Sequence, residues 1–349
     1  MAPLPASALT RFVTRAFTTL GVPQADAAKV AGLMVEADLL GYDTHGLFRL
    51  RQYVNRLKGG GCNPSATPRV LRETAATALI DGDNGLGHLG MAMACDLAMA
   101  KARLAGIGWV GLRGNNHAGP AALYVRPQAE SGMIGICAAV GSANHVAPWG
   151  GTDLLLGTNP LAIATPGDKD AFVLDMATTV AAVGKIKTLA QRGEPMPEGW
   201  MVGRDGQPLT DPNRRDEGFL LPIGGPKGYG LATAIGLLAG VLNGAAFGSD
   251  VVDFTTDTAT PTNTGQFVAA IDIAAFGELG DFIAAATRSF AELRASTPLP
   301  GHEPPRIPGE GRSALRAKHL TEGIPLHQAL QAELDRIADE LSIPQLSES

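Results

Sequence analysis

The stretch Gly41-Tyr42-Asp43-Thr44-His45-Gly46-Leu47-Phe48-Arg49-Leu50 places an acid, a hydroxyl and an imidazole in consecutive positions, with a guanidinium four residues after the histidine. If it opens a helix, Asp43 or Thr44 is its N-cap. His45, Arg49 and Tyr53 then follow at intervals of four and share one face. Such a row suits a small carboxylate, because arginine grips a carboxylate bidentately and histidine exchanges a proton near neutral pH. From spacing alone, a surface face that carries polar groups by chance fits equally well.

Other stretches compete for chemistry. Gly85, Gly87 and Gly90 form one literal G-x-G-x-x-G, after an expected strand and before a helix, the context of a dinucleotide fingerprint. The acid that should follow about 20 residues later is missing, and the next strand ends in Arg113, so a structural turn is the stronger reading. "GGPKGYG" (224–230) is not a Walker loop, yet its amides and Lys227 could face a phosphate at a helix start. In "GNNHAGPA" and "LDMATT", His117 and Asp175 sit at strand ends, where ligand groups gather. The seven histidines show no metal-ligand spacing, although Asp43 and His45 with another histidine would suit a metal-dependent hydrolase. No G-x-S-x-G nucleophile is present.

The elements that must position these groups follow from periodicity. Residues 7–21 and 24–41 read as amphipathic helices, and "THGLFRLRQYVNRLKGGG" as a third, followed by a linker, "GGGCNPSATP". "ATALID", "IGWVGL", "IGICAAV", "AFVLD" and "QFVAAIDI" read as strands. "MAMACDLAMAKARLAG" and "GYGLATAIGLLAGVLNGA" (228–245) read as buried helices, 179–192 as a further helix, and "SALRAKHL" and "LHQALQAELDRIADEL" as closing amphipathic ones. The pattern is α/β or α+β: a sheet-rich portion over 76–284, and a helical, substrate-binding lobe from both chain ends, 1–75 plus 285–349.

At 349 residues the chain is long for one core, which favours two lobes. A net charge of −6 without a basic run argues against nucleic acid as a partner, and no apolar stretch is long enough for a membrane span. Cys62, Cys95 and Cys137 are widely spaced with no Cys-x-x-Cys; they read as ordinary thiols in a reducing cytoplasm, and no signal peptide is evident.

"GYDTHGLFRLRQYVNRLKGGGCNP" resembles the G-x-x-SHG-x-x-R segment of the type-2 malate/L-lactate dehydrogenase family. "NNHAG", "VAPWGGTDLLLGTNPLAIATP", "LDMATT", "GKI", "RGEPMPEGW", "DGQPLTDP", "GGPKGYGLA", "LAGVLNGA", "PGE" and "GIPL" resemble its later blocks, in the same order over nearly the whole chain. The resemblance implies a homodimeric oxidoreductase that uses NAD or NADP on a small 2-oxo or 2-hydroxy acid, or on a cyclic imine such as piperideine- or pyrroline-2-carboxylate. It also implies a family-specific, non-Rossmann cofactor fold. Carried over, His45 is the acid/base, oriented by Thr44, and His117 is its alternative. Arg49 and Thr158 meet the substrate; Tyr53, by its spacing, and Lys185, in the GK pair, are expected to join them. His117, Gly119, Asp175, Met176, Ala177, Pro226, Lys227, Pro308, Gly309 and Glu310 meet the cofactor, and no metal is implied. Thr44 stands where the family favours serine and Gly141 where it often has asparagine, departures that also admit a non-catalytic ligand-binding relative. Lys185, where cyclic-imine reducers carry an acid, tilts the reading toward an oxo or hydroxy acid.

Overall fold

Apolar residues at helical spacing in residues 6–39 produce two helices, α1 (Ala6–Thr19) and α2 (Gln24–Leu39), each entered from a proline that presets an extended φ. The computed structural model describes residues 3–168 and 171–346. After α2 the chain continues through α3 (Leu50–Gly59), β1 (Arg69–Glu73), β2 (Thr77–Asp81), α4 (Gly87–Ala105), β3 (Ile107–Asn115), α5 (Arg126–Glu130), β4 (Met133–Ala139), β5 (Leu161–Thr165) and β6 (Phe172–Met176). It then forms α6 (Val183–Arg192), β7 (Met201–Gly203), β8 (Gly218–Leu220), α7 (Pro226–Ile235), β9 (Thr264–Asp272), α8 (Leu279–Arg294), α9 (Arg312–Glu322) and α10 (Gln328–Leu341).

Seven strands make one mixed sheet in the order β1-β2-β3-β9-β4-β5-β6, and β7 and β8 form a separate hairpin. Only β2 and β3 run parallel, joined across α4; β9 is antiparallel to both β3 and β4. The G-x-G-x-x-G therefore does lie in a β-α-β unit, but the sheet beyond it is not doubly wound, as a Rossmann fold requires. The apolar run of β9 is buried from Thr264 to Ala270, as befits a central strand.

One apolar cluster joins the chain ends: Leu9, Phe12 and Phe17 of α1, Met34 of α2 and Leu50 of α3 pack with Leu334 and Ile337 of α10. A second lies against the sheet, with Met91, Ala94 and Ala98 of α4 over Ile80, Val110, Leu112 and Val268.

Two expectations need correction. The helix expected from Thr44 begins only at Leu50; residues 43–46 are a turn, Leu47–Arg49 a single 3-10 turn, and neither Asp43 nor Thr44 caps it. The segment 228–245 is not one buried helix: α7 gives way to a π-helical turn at Gly236–Gly240 and a 3-10 turn at Val241–Asn243. Leu237, Val241 and Leu242 on it are 50%, 54% and 64% exposed, so its uniform apolarity reflects an outer face as well as a core face. Arg69–Glu73, for which periodicity indicated no element, forms an edge strand antiparallel to β2.

Candidate active site

Four of the expected side chains, His45, Arg49, Tyr53 and His117, meet in one cluster although up to 72 residues separate them. His45 projects from the turn after α2, and Thr44 Oγ1 lies 2.9 Å from its Nδ1. Arg49 closes the same turn by donating from Nε to the Thr44 carbonyl at 2.8 Å. The His117 ring stacks over His45 with centroids 5.8 Å apart, and its Nδ1 is 2.6 Å from the Tyr53 hydroxyl. Phe254 stacks on the other side of His117 at 4.8 Å and 7°, and the Arg49 guanidinium sits 5.7 Å from the Phe254 ring. Tyr53, His117 and Phe254 of this cluster also line a narrow cavity, together with Arg56, Cys62, Leu86 and Asn116.

His45, Arg49 and Tyr53 converge as their spacing suggested, but a turn and a 3-10 turn hold the first two where a regular helix was expected. His117 is held by its neighbours. Asn115 Nδ2 donates to Gly87 O and to Gln266 Oε1, Asn116 Nδ2 donates to Gly85 O, and Gln266 Nε2 donates to Asn116 O. A Cβ on Gly87 would overlap the Asn116 carbonyl. The glycine motif thus serves close packing of α4 against the His117 loop, the structural alternative considered for it.

Burial, and then the neighbouring Arg49 charge, lowers the His45 pKa to about 4. Burial, Arg49, His45 and His88 together push His117 well below the usual histidine value. Both rings are therefore neutral at pH 7. Burial raises the Tyr53 phenol, which stays protonated and able to donate to His117. Among the described residues no carboxylate lies within ion-pair distance of Arg49, so a largely buried cation sits beside Phe254 and the two imidazoles without a counter-charge.

The departures from the family pattern have local explanations. The Thr44 methyl points at α6, where a Cβ on Gly184 would approach it to 3.0 Å, while its hydroxyl keeps the His45 contact. At Gly141 a Cβ would come within 2.8 Å of Thr158 N, so this backbone has no room for an asparagine. Lys185 is exposed on α6; Lys187, two residues on, is partly buried and electrostatically coupled to Arg49.

Several of the remaining expected residues are tied by hydrogen bonds to β6 or to the residues that follow it. Thr158 O accepts from Thr178 N, and Ile223 N donates to Thr178 O, which joins the end of β6 to the loop before α7. Asp175, pushed up to about 6 by burial, accepts from Ala122 N at 2.8 Å; Met176 pairs with Leu161, and Ala177 follows. Pro308 O accepts from Val173 N, and Gly309 (φ +87) has no space for a side chain against Val173. Glu310 accepts from Ile307 N and from Arg294. Gly119 (φ +75) donates from its N–H to His117 Nδ1 at 3.3 Å. Pro226 and Lys227 open α7, with Lys227 exposed.

Sequence reasoning missed Asp38, His88, Arg56, Asn116 and Phe254. Asp38 carried a signal, an acid four residues after Met34 on the apolar stripe of α2. The hydrolase alternative loses its ligand set: Asp43 is exposed, and no three His, Cys, Asp or Glu side chains among the described residues gather as a metal site.

Residues 4–335 match the family model described as malate/L-lactate dehydrogenase. A malate dehydrogenase of Pyrococcus horikoshii is 38% identical over 348 residues, 97% of this chain and 96% of the relative. A ureidoglycolate dehydrogenase (NAD(+)) of Escherichia coli is 35% identical over 88% of this chain and 87% of its own. The solved structure of a sulfolactate dehydrogenase from Methanocaldococcus jannaschii superimposes with a TM-score of 0.91 at 37% identity, covering 99% of both chains.

Proposed function

Since the chain belongs to the malate/L-lactate dehydrogenase family, an oxidoreductase family and not a hydrolytic one, we propose that it interconverts a small 2-hydroxy acid and the matching 2-oxo acid with NAD or NADP. The observation that carries this reading is the uncompensated Arg49 beside two neutral, stacked imidazoles. A substrate carboxylate supplies the missing counter-charge, held bidentately by the guanidinium. His45 then faces the hydroxyl-bearing carbon with Nε2, since Nδ1 is engaged by Thr44. For oxidation the required tautomer carries its proton on Nδ1, donated to Thr44 Oγ1, leaving Nε2 to accept the hydroxyl proton. His117, fixed by Tyr53 and Phe254, walls the opposite side of the cleft.

The residues present fit a dinucleotide. Gly224 and Gly225 adopt left-handed φ of +60 and +63, nothing lies within 4 Å of a Cβ placed on Gly224, and the loop opens α7 beside exposed Trp149 and Lys227. Free N–H groups at a helix start suit a phosphate. Asp175–Ala177, Thr158 and Pro308–Glu310 would hold the rest of the cofactor. When bound, NAD(P) supplies the hydride acceptor or donor.

The exposed apolar face of Leu231, Leu237, Leu238, Val241 and Leu242 supports a homodimer, and three buried free thiols support a reducing, cytoplasmic setting. The cluster joining α1–α3 to α10 supports the two-lobe division; the expected boundary at 285 falls inside α8, whose Phe290 stacks on Phe172 of β6.

The test is a panel following reduced nicotinamide absorbance, with pyruvate, oxaloacetate and a cyclic imine carboxylate against both cofactors. Turnover of a 2-oxo acid supports the reading. Turnover of the imine alone would assign the same machinery to C=N reduction, and cofactor binding without any turnover would make the chain a non-catalytic relative.

A further inference from the structure

Asp38 is a buried carboxyl group that the proton-transfer and carboxylate-holding roles leave unused. It occupies the last full turn of α2, is 4% exposed, and lies nine residues before Leu47. Its Oδ2 accepts the Leu47 N–H at 2.8 Å, a bond shut away from water. A Cβ on Gly46 would overlap the Asp38 carboxyl carbon and both its oxygens, so the carboxyl group lies directly against the Gly46 backbone. Gly46 is the residue that follows His45, and its carbonyl accepts the Arg49 N–H at 2.9 Å. On the histidine side, His45 N donates to Tyr42 O at 2.8 Å and Arg49 Nε to Thr44 O, both within the same turn. Among the described residues, the hydrogen bond from Leu47 to Asp38 is thus the one that anchors residues 45–49 to a long, buried helix.

A carboxyl group in such a place carries a cost. Burial raises its pKa to about 7, with exposed Asp43 adding to the rise and the Leu47 N–H opposing it. An alanine in the apolar stripe of α2 would avoid that cost. Resting on the roles given above to His45 and Arg49, we propose that Asp38 is a positioning residue, whose carboxyl group seated under Gly46 sets the placement of the His45 imidazole relative to the Arg49 guanidinium. The pairing also explains why residue 46 is glycine: any side chain there displaces the carboxyl group from beneath the turn.

Asp38→Asn keeps an amide oxygen to accept from Leu47 and keeps the shape. Asp38→Ala leaves the Leu47 N–H buried without an acceptor and frees the turn. Displacement of a reacting group by about 1 Å costs on the order of 100-fold in rate. The expected result is a 10- to 100-fold loss of kcat in Asp38→Ala, per cofactor-binding site titrated by NAD(P)H fluorescence, and rescue to within about threefold of wild type in Asp38→Asn. Each variant is also built into His45→Ala. If Asp38 acts through His45, Asp38→Ala costs less than twofold further there. Full kcat in Asp38→Ala, or an equal loss in both backgrounds, would overturn the proposal. If instead His45→Ala alone keeps wild-type turnover, it is the reading of His45 that fails, a separate and distinguishable outcome.

Discussion

The depressed pKa of His45 makes a sharp kinetic prediction. An ordinary histidine titrates near 6.5, whereas burial and then the Arg49 charge bring His45 to about 4. The difference of roughly 2.5 units corresponds to about 3 kcal/mol in favour of the neutral ring. As the base for oxidation of a 2-hydroxy acid, His45 must be neutral, and the acid limb of kcat/KM reports its pKa before substrate binds. With saturating oxidised cofactor, log kcat/KM should stay flat from pH 8 down to about 5; a base at 6.5 would have lost about 30-fold by then. Samples returned to pH 7 after each exposure separate titration from acid inactivation. Arg49→Gln removes the second cause and leaves the first, so the limb should rise only part of the way toward 6.5, while KM for the acid rises sharply. A wild-type limb between pH 6 and 7 would refute the argument, because it would require a base that is neither buried nor beside a cation.

Three further outcomes follow from the packing around the cleft. Tyr53→Phe removes the 2.6 Å contact to His117 Nδ1; it should lower kcat by about 3- to 10-fold, a neutral hydrogen bond's worth, with little change in melting temperature. Gly87→Ala forces a methyl into the Asn116 carbonyl; it should cost about 1–3 kcal/mol in denaturant unfolding and loosen the His117 loop, visible as faster amide exchange at residues 115–119. His88 is fully buried, with both ring nitrogens unpartnered among the described residues and a pKa lowered to about 3. The unfolded chain therefore takes up the proton first, and stability present above pH 6.5 is lost as pH falls toward 3. His88→Leu should flatten the fall in melting temperature between pH 7 and 4.5, and an unchanged slope would exclude His88 as its source.

Much of the architecture was legible because it rests on period. The helices of residues 6–39 and 312–341 and the apolar strands β2, β3, β4, β6 and β9 each bury one face or two, and the pattern shows it. What was illegible lacked that contrast. β1 is a polar edge strand, and α8 buries no residue fully, so neither displays a core stripe. The segment 228–245 is apolar all round, and periodicity cannot tell a core face from an outer one. In the site, His45, Arg49 and Tyr53 could be grouped from their spacing. His117, Phe254 and Asp38 could not, since contacts across 64, 137 and nine residues depend on the sheet, a loop and a turn that no local pattern encodes. The acid at the head of "DTHG" drew attention to the wrong carboxylate: Asp43 is exposed, and Asp38 is the one that holds the turn.

The central claim, that His45 moves the substrate proton while Arg49 holds its carboxylate, is tested most directly by comparing His45→Ala with His117→Ala under single-turnover conditions. The account predicts a loss of about 10²- to 10⁴-fold in His45→Ala, with NAD(P)H binding unchanged by fluorescence, and a smaller loss in His117→Ala. Near wild-type turnover in His45→Ala, with collapse in His117→Ala, would contradict it and transfer the proton to His117.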